Sequence, residues 1–171
     1  MLPESLASDG ILTLSLPSGR NVDVPKASPA FKQWQGEMPD DTYGGKMVLD
    51  ADGEPAFAEL LILRHLEQAG WNGVWIDTFR QTYRRYYWSD DSKITLPERV
   101  QQSLDVITDA NGSASGCFDV CAWTEERLLF AEAKREHHDA IRETQKEWLE
   151  SALKMGLPTN SFLIVEWSLD E

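Results

Sequence analysis

The chain has 171 residues, 16 of them basic and 29 acidic, for a net charge of −13, with 42% hydrophobic and 10% aromatic content. This is the size and make-up of one domain with a real core, and the charge weighs against a protein that wraps long stretches of duplex, where affinity comes from neutralising phosphates. No apolar run approaches the length of a membrane span, and the start Met1-Leu2-Pro3-Glu4-Ser5 lacks the layout of a secretory signal, so a cytoplasmic chain without membrane contact is expected.

In chain order, Ile11 to Leu16 alternates apolar with polar, Pro17-Ser18-Gly19-Arg20 turns, and Asn21 to Val24 alternates again, which predicts a hairpin. Pro29, Pro39, Gly44 and Gly45 then punctuate a stretch holding Phe31 and Trp34, expected to be loop laid over the core. Asp40 and Asp41 fall in that stretch and read as solvated turn residues rather than metal ligands. Residues 1–52 are therefore expected to be an extension packed on a core formed by residues 53–171.

Gly53-Glu54-Pro55 is expected to open a helix, since proline suits a first helical turn. The helix should run to about Ala69 and stop at Gly70. On its wheel Glu59, Ile62, Leu63, Leu66 and Ala69 share one side, with Arg64 and Gln68 roughly opposite. Glu59 is thus a carboxylate inside an apolar stripe, which calls for a metal, an arginine partner, or a bend out to water. Trp71 to Phe79 reads as the first core strand, and its Asp77 is a second carboxylate that could compete for a metal. Arg80 to Trp88 continues the chain with three arginines, four aromatics and no acid. Two readings stand for it. Either Arg80, Arg84, Arg85, Tyr87 and Trp88 contact nucleic acid, arginines on phosphates and rings on bases, or the rings pack and the arginines pair with surface acids. Thr95-Leu96-Pro97-Glu98 opens a second helix to about Asp109, with Leu96, Val100, Leu104 and Ile107 at helical spacing, as an insertion within residues 80–115. Asn111 to Gly116 reads as a flexible link from that helix into a central hairpin.

Two apolar runs flanking Thr124-Glu125-Glu126-Arg127 predict this central hairpin over Gly116 to Lys134. Cys117, Asp119 and Cys121 share one side of its first strand; Leu128, Phe130, Glu132 and Lys134 share one side of the second. A turn centred between Glu125 and Glu126 sets Trp123 opposite Leu128 and Asp119 opposite Glu132. Facing carboxylates repel, and apolar neighbours add a desolvation penalty. A hard cation between them would remove both problems, and carboxylate oxygen suits Mg²⁺ or Mn²⁺. Lys134, two residues on, could meet an anionic substrate. The alternative is a surface side of the strand carrying ordinary charges. Cys117 and Cys121, about 13 Å apart on one strand, cannot pair with each other and read as buried free thiols.

A last helix is expected from about Asp139 to Met155, with Ile141, Gln145, Trp148, Leu149 and Ala152 buried, before a strand from Phe162 to Trp167. Gln145 is the odd member of that stripe, because a buried amide needs partners. His137 and His138 point in different directions at the helix start and are left out of the chemistry.

Asp119, a dozen intervening residues and Glu132-Ala133-Lys134, with Gln145-Lys146-Glu147-Trp148-Leu149 on the next helix, resemble the D…(D/E)-X-K signature of the PD-(D/E)XK nuclease superfamily and its VRR-NUC branch. The resemblance covers roughly Glu54 to Trp167. Phe118 stands where the family's proline would be. The resemblance implies an α/β fold: a restriction-endonuclease-like αβββαβ core with a mixed central sheet, here carrying an N-terminal β-hairpin and an inserted helix. It implies Mg²⁺- or Mn²⁺-dependent hydrolysis of phosphodiester bonds. Asp119, Glu132 and the Ala133 carbonyl would hold the ion, with help from Glu59. Lys134 would act on the attacking water, and Gln145 would position that water or a ligand. Structured or single-stranded DNA is the expected substrate, and a homodimer the expected assembly. The alternative is a catalytically silent nuclease-fold protein that serves as a protein-binding or immunity partner.

Overall fold

The N-terminal alternation builds β1 (Gly10–Ser15) and β2 (Asn21–Ala27), paired antiparallel with Leu12 opposite Val24 and Leu14 opposite Val22. In the computed structural model, which describes residues 1–78, 80–86 and 94–170, this hairpin continues the central sheet. Short β3 (Ala30–Phe31) comes next, then a separate two-stranded ribbon of β4 (Leu49–Ala51) and β5 (Glu54–Ala56). The stretch expected as loop therefore contains two short strands, β3 and β4. Glu54 to Ala56, expected in the helix, is strand instead. Asp50 Oδ1 accepts the Gly53 N–H at 2.6 Å, and Asp52 and Gly53 take left-handed φ of 56° and 89°. That side-chain turn folds the chain back on β4 before a helix can start.

The helix α1 (Ala58–Gln68) begins after Phe57 and ends where glycine predicted, with Gly70 at φ 84°. Its buried face includes Glu59, Ile62, Leu63 and Leu66, while Ala69, expected in the stripe, is exposed at the helix end. Next come β6 (Asn72–Asp77), β7 (Thr82–Arg84) and α2 (Glu98–Asn111). Tyr87 and Trp88 lie outside the described residues. The central hairpin is β8 (Val120–Trp123) and β9 (Leu128–Arg135). It leads to α3 (Glu143–Lys154) and β10 (Phe162–Leu169). The α3 helix starts one turn later than expected. The Asp139 carboxylate is engaged in accepting the Arg135 N–H at 2.9 Å, and His137 sits at φ 60°, so residues 136–139 form a turn that reverses the chain after β9. Ile141 therefore packs on the core from ahead of the helix rather than from within it.

The sheet runs β1-β2-β10-β9-β8-β6-β7, with β3 also beside β10. It is mixed: β10 is parallel to β9 and to β2, and the remaining neighbours along that path are antiparallel. The parallel β9–β10 pair requires a crossover, and α3 supplies it. Alternation along each strand then divides the core. Ala122, Leu129, Ala131 and Leu163 face α1. Cys121, Phe130, Phe162 and Ile164 face the other way, onto Trp148 and Leu149 of α3 and Val100, Leu104 and Ile107 of α2. Phe118 is fully buried against Trp148 and Phe162, with ring centroids 5.6 and 5.9 Å away, so an aromatic fills the place of the expected proline.

Gly116 joins the link after α2 to β8 at a tight approach. Its φ is 84°, and a Cβ there would lie 1.9 Å from the Thr144 carbonyl oxygen of α3. We therefore expect Gly116→Ala to cost ~2 kcal/mol through strain and a collision of backbone with side chain. Thermal denaturation should show this as a fall of about 4–8 °C in Tm.

Candidate functional site

The hairpin register is the one its turn predicts: Trp123 lies opposite Leu128 and Val120 opposite Ala131. One further step sets Asp119 opposite Glu132, beyond the first residue of β8. There β9 runs on to Arg135 with β10 on one side, while β8 has stopped on the other. Two hydrogen bonds bridge the opening. The Ala133 N–H donates to Asp119 Oδ2 at 3.1 Å, and the Asp119 N–H donates to Glu132 Oε2 at 3.2 Å. In an extended residue N–H and C=O face the same edge, so the Ala133 carbonyl turns toward Asp119 as well.

Glu132 is 1% exposed and carries most of the local hydrogen bonding. Lys134 Nζ donates to its Oε1 at 2.7 Å, and Gln145 Nε2 donates to the same oxygen. The Gln145 carbonyl oxygen accepts the Arg142 N–H at 2.9 Å, at the start of α3. That contact fixes which end of the amide faces Glu132, and it gives the buried amide the partners it needs. Lys134 is itself buried. Burial pushes the Glu132 carboxyl upward, against the Lys134 and Gln145 contacts that favour its charge. Asp119 goes further. Burial and the charges of Glu132 and Glu59 hold it well above the ordinary carboxylate range, opposed by Lys46 and the Ala133 N–H.

A cavity of about 340 Å³ brings Asp119, Glu132, Ala133, Lys134, Gln145 and Glu59 together, so every residue proposed for catalysis or metal binding lines one space. Glu59, at 6% exposure in the first turn of α1, pairs with Lys46. Lys46 is a residue that sequence reasoning missed. It lies in an irregular loop far from the signature, and only tertiary folding brings it in. Arg142 was missed too: it lines this cavity and a second one of about 770 Å³, which also shares Asp119 and Gln145. Among the described residues no acidic side chain pairs with Arg142. The smaller cavity is lined by the acids Glu59, Asp119, Glu132 and Asp139. Lys46, Lys134, Arg135 and Arg142 match them in number, so the space is formally neutral in a chain of net −13. His138 adds an imidazole to the four carboxylates of its lining, and among the described residues no three acidic, imidazole or thiolate side chains form a closed metal cluster.

The arginine stretch is placed differently from the nucleic-acid reading. Arg84 is buried and pairs with buried Asp77 at 3.2 Å. Asp77 also accepts the Tyr43 hydroxyl and the Arg80 N–H, so it is a partner of arginine rather than a rival ligand. Arg85 Nε bonds Glu67 at 2.7 Å. Arg80, although exposed, pairs with Asp41 at 3.0 Å and stacks on Tyr43 at 4.1 Å. Arg84, expected at a nucleic-acid contact or packed and ion-paired, is buried with its guanidinium on Asp77. Asp41 is a turn residue, exposed as expected, whose carboxylate also accepts the Tyr43 N–H. Both thiols are free, and burial raises them away from the reactive thiolate form.

Comparison with protein-family models, with curated proteins and with solved structures gave no match. The functional reading therefore stands on the residues and geometry alone.

Two outcomes are expected. Arg84→Ala should cost ~3–5 kcal/mol in chemical denaturation, because it strands buried Asp77, whereas Arg85→Ala, at the surface, should cost under ~1 kcal/mol. Asp119→Asn should raise Tm in chelator at pH 8. The sign comes from linkage. A carboxyl raised in the folded state destabilises the fold above its unfolded pKa, increasingly as pH climbs toward the folded value. The gain from asparagine should thus grow with pH and vanish below about pH 4.

Proposed function

We propose that this chain is a divalent-metal-dependent phosphodiesterase that hydrolyses nucleic acid, on a core of the restriction-endonuclease-like kind. The observation that carries the reading is the pair Asp119 and Glu132, set face to face where β8 ends, in one cavity with Lys134 and Gln145. The order α1, β6, β8, β9, α3, β10 supports the core assignment, with β7 and α2 as the insertion. Two carboxylates and the Ala133 carbonyl suit Mg²⁺ or Mn²⁺, ions that take oxygen ligands and keep several waters. Glu59 is near enough to act on Asp119 and would help hold the ion. When bound, such an ion makes water more acidic and offsets charge on a phosphate.

The protein groups have distinct tasks. Asp119 and Glu132 supply negative oxygen to the ion. Gln145 pins Glu132 while its own carbonyl is held by the start of α3. Lys134 balances Glu132 and presents a positive charge to phosphate oxygens as negative charge builds on them. Arg142, at the meeting of two cavities, is the cation best placed to take a neighbouring phosphate. A site with formally balanced charge supports structured or single-stranded DNA better than a long duplex, given the chain's charge. A homodimer is part of the same proposal.

A second reading is supported by the pairing of Arg80, Arg84 and Arg85 with acids. It makes the chain a catalytically silent nuclease-fold protein that binds a protein partner. The deciding experiment is a cleavage assay on labelled single-stranded, duplex, flap and four-way-junction DNA with Mn²⁺ or Mg²⁺. Wild type should cut, and Lys134→Ala should lose about 10²–10³ in rate while keeping Mn²⁺ binding in calorimetry. Asp119→Ala and Glu132→Ala should each lose that binding. Wild type that neither cuts nor binds Mn²⁺ would move the assignment to the silent reading.

A further inference from the structure

We propose that Lys46 is the resident counter-cation of this site: its ammonium holds Glu59 in place in the metal-free chain and is displaced from it when a divalent ion binds. The inference rests on the metal-site reading above. Glu59 is buried in the first turn of α1 and needs a positive partner, and Lys46 Nζ provides it. The ammonium also lies 5.8 and 5.7 Å from the ring centres of Phe57 and Trp75, a seat that favours a cation. Its charge reaches beyond its partner. It opposes the upward push on Asp119, and Glu59, Asp119 and Glu132 together favour its protonated form over the burial that works against it. One monovalent cation thus acts on the Asp119–Glu132 pair as well as on Glu59.

The chain that carries Lys46 suits exchange. Tyr43, Gly44 and Gly45 precede it with left-handed φ of 52°, 78° and 96°. The same loop is tied down by the Tyr43 hydroxyl on Asp77 and by Asp41 on Arg80. The backbone is therefore anchored, while the Lys46 side chain, 39% exposed, has solvent to swing into. A divalent ion held by Asp119 and Glu132 would bring twice the charge near Glu59, so the Lys46 ammonium would be repelled and Glu59 would no longer need it. The displaced lysine stays at the cavity mouth, because its loop does not leave.

The test uses the full chain and Mn²⁺ alone. Calorimetric titration of wild type, Lys46→Met and Lys46→Arg should give about tenfold tighter binding for the methionine variant, the loss of one competing charge. Arginine should stay within about twofold of wild type. Equal or weaker binding by Lys46→Met, with wild type binding normally, overturns the inference and leaves the metal site standing. No Mn²⁺ binding by any of the three overturns the site and the inference together. Wild type offers a readout that needs no variant. Limited acetylation mapped by mass spectrometry should label Lys46 several-fold faster with Mn²⁺ than with chelator, against exposed Lys32 as the internal control. Unchanged or slower labelling with bound Mn²⁺ overturns the displacement.

Discussion

Repulsion between Asp119 and Glu132 is the constraint that the surrounding structure answers to. The hairpin turn sets them opposite one another, and a one-residue slip would exchange the two faces of the hairpin and turn Phe130 from α3 toward α1. Core packing on α3 thus enforces an electrostatic penalty. The compensation is unequal. Glu132 receives a lysine, an amide and a backbone N–H, whereas Asp119 is held chiefly by the Ala133 N–H. Asp119 accordingly bears the larger perturbation, with desolvation as its leading cause. An ion pair as buried as Glu132 with Lys134 is weak evidence of net stability. Retaining it beside a carboxylate with fewer partners is the pattern expected where stability yields to function.

Much of this was legible in the chain itself, where the signals were local. Pairing of Trp123 with Leu128 comes from turn length, the stop of α1 from Gly70, and the buried face of α2 from the spacing of Val100, Leu104 and Ile107. Where the reading missed, a tertiary or side-chain contact had displaced the local preference. Pro55 suits a helix start, but the Asp50 turn drew it into a strand. Asp139 suits a helix start too, but it caps the end of β9 instead. Lys46 carries no local signal at all. Its place beside Glu59 depends on a loop laid over α1, and no periodicity records that.

The arginine-rich stretch shows how arginines find carboxylate partners in an acidic protein. With 29 acids against 16 bases, an arginine meets a carboxylate more readily than it stays free. Arg84 and Asp77 face each other near the end of the sheet, and Arg85 and Arg64 share Glu67. What distinguishes Arg142 is its location. It begins α3 at the edge of two cavities, where the local balance of charge departs from that of the whole.

The parallel pairing of β2 with β10 bears on the order in which the chain can fold. Ile164 meets Lys26 across most of the sequence, whereas β8, β9 and α3 are near neighbours. During synthesis the β1–β2 hairpin emerges well before β10, the strand that pairs with its inner edge. Until then Leu14, Leu16, Val22 and Val24, all buried in the finished protein, have only part of their cover. Such a topology closes slowly, because distant pairing costs chain entropy before it returns contact. The half-made sheet presents an open edge and an apolar face, the form in which nascent chains stick to one another or are held by chaperones.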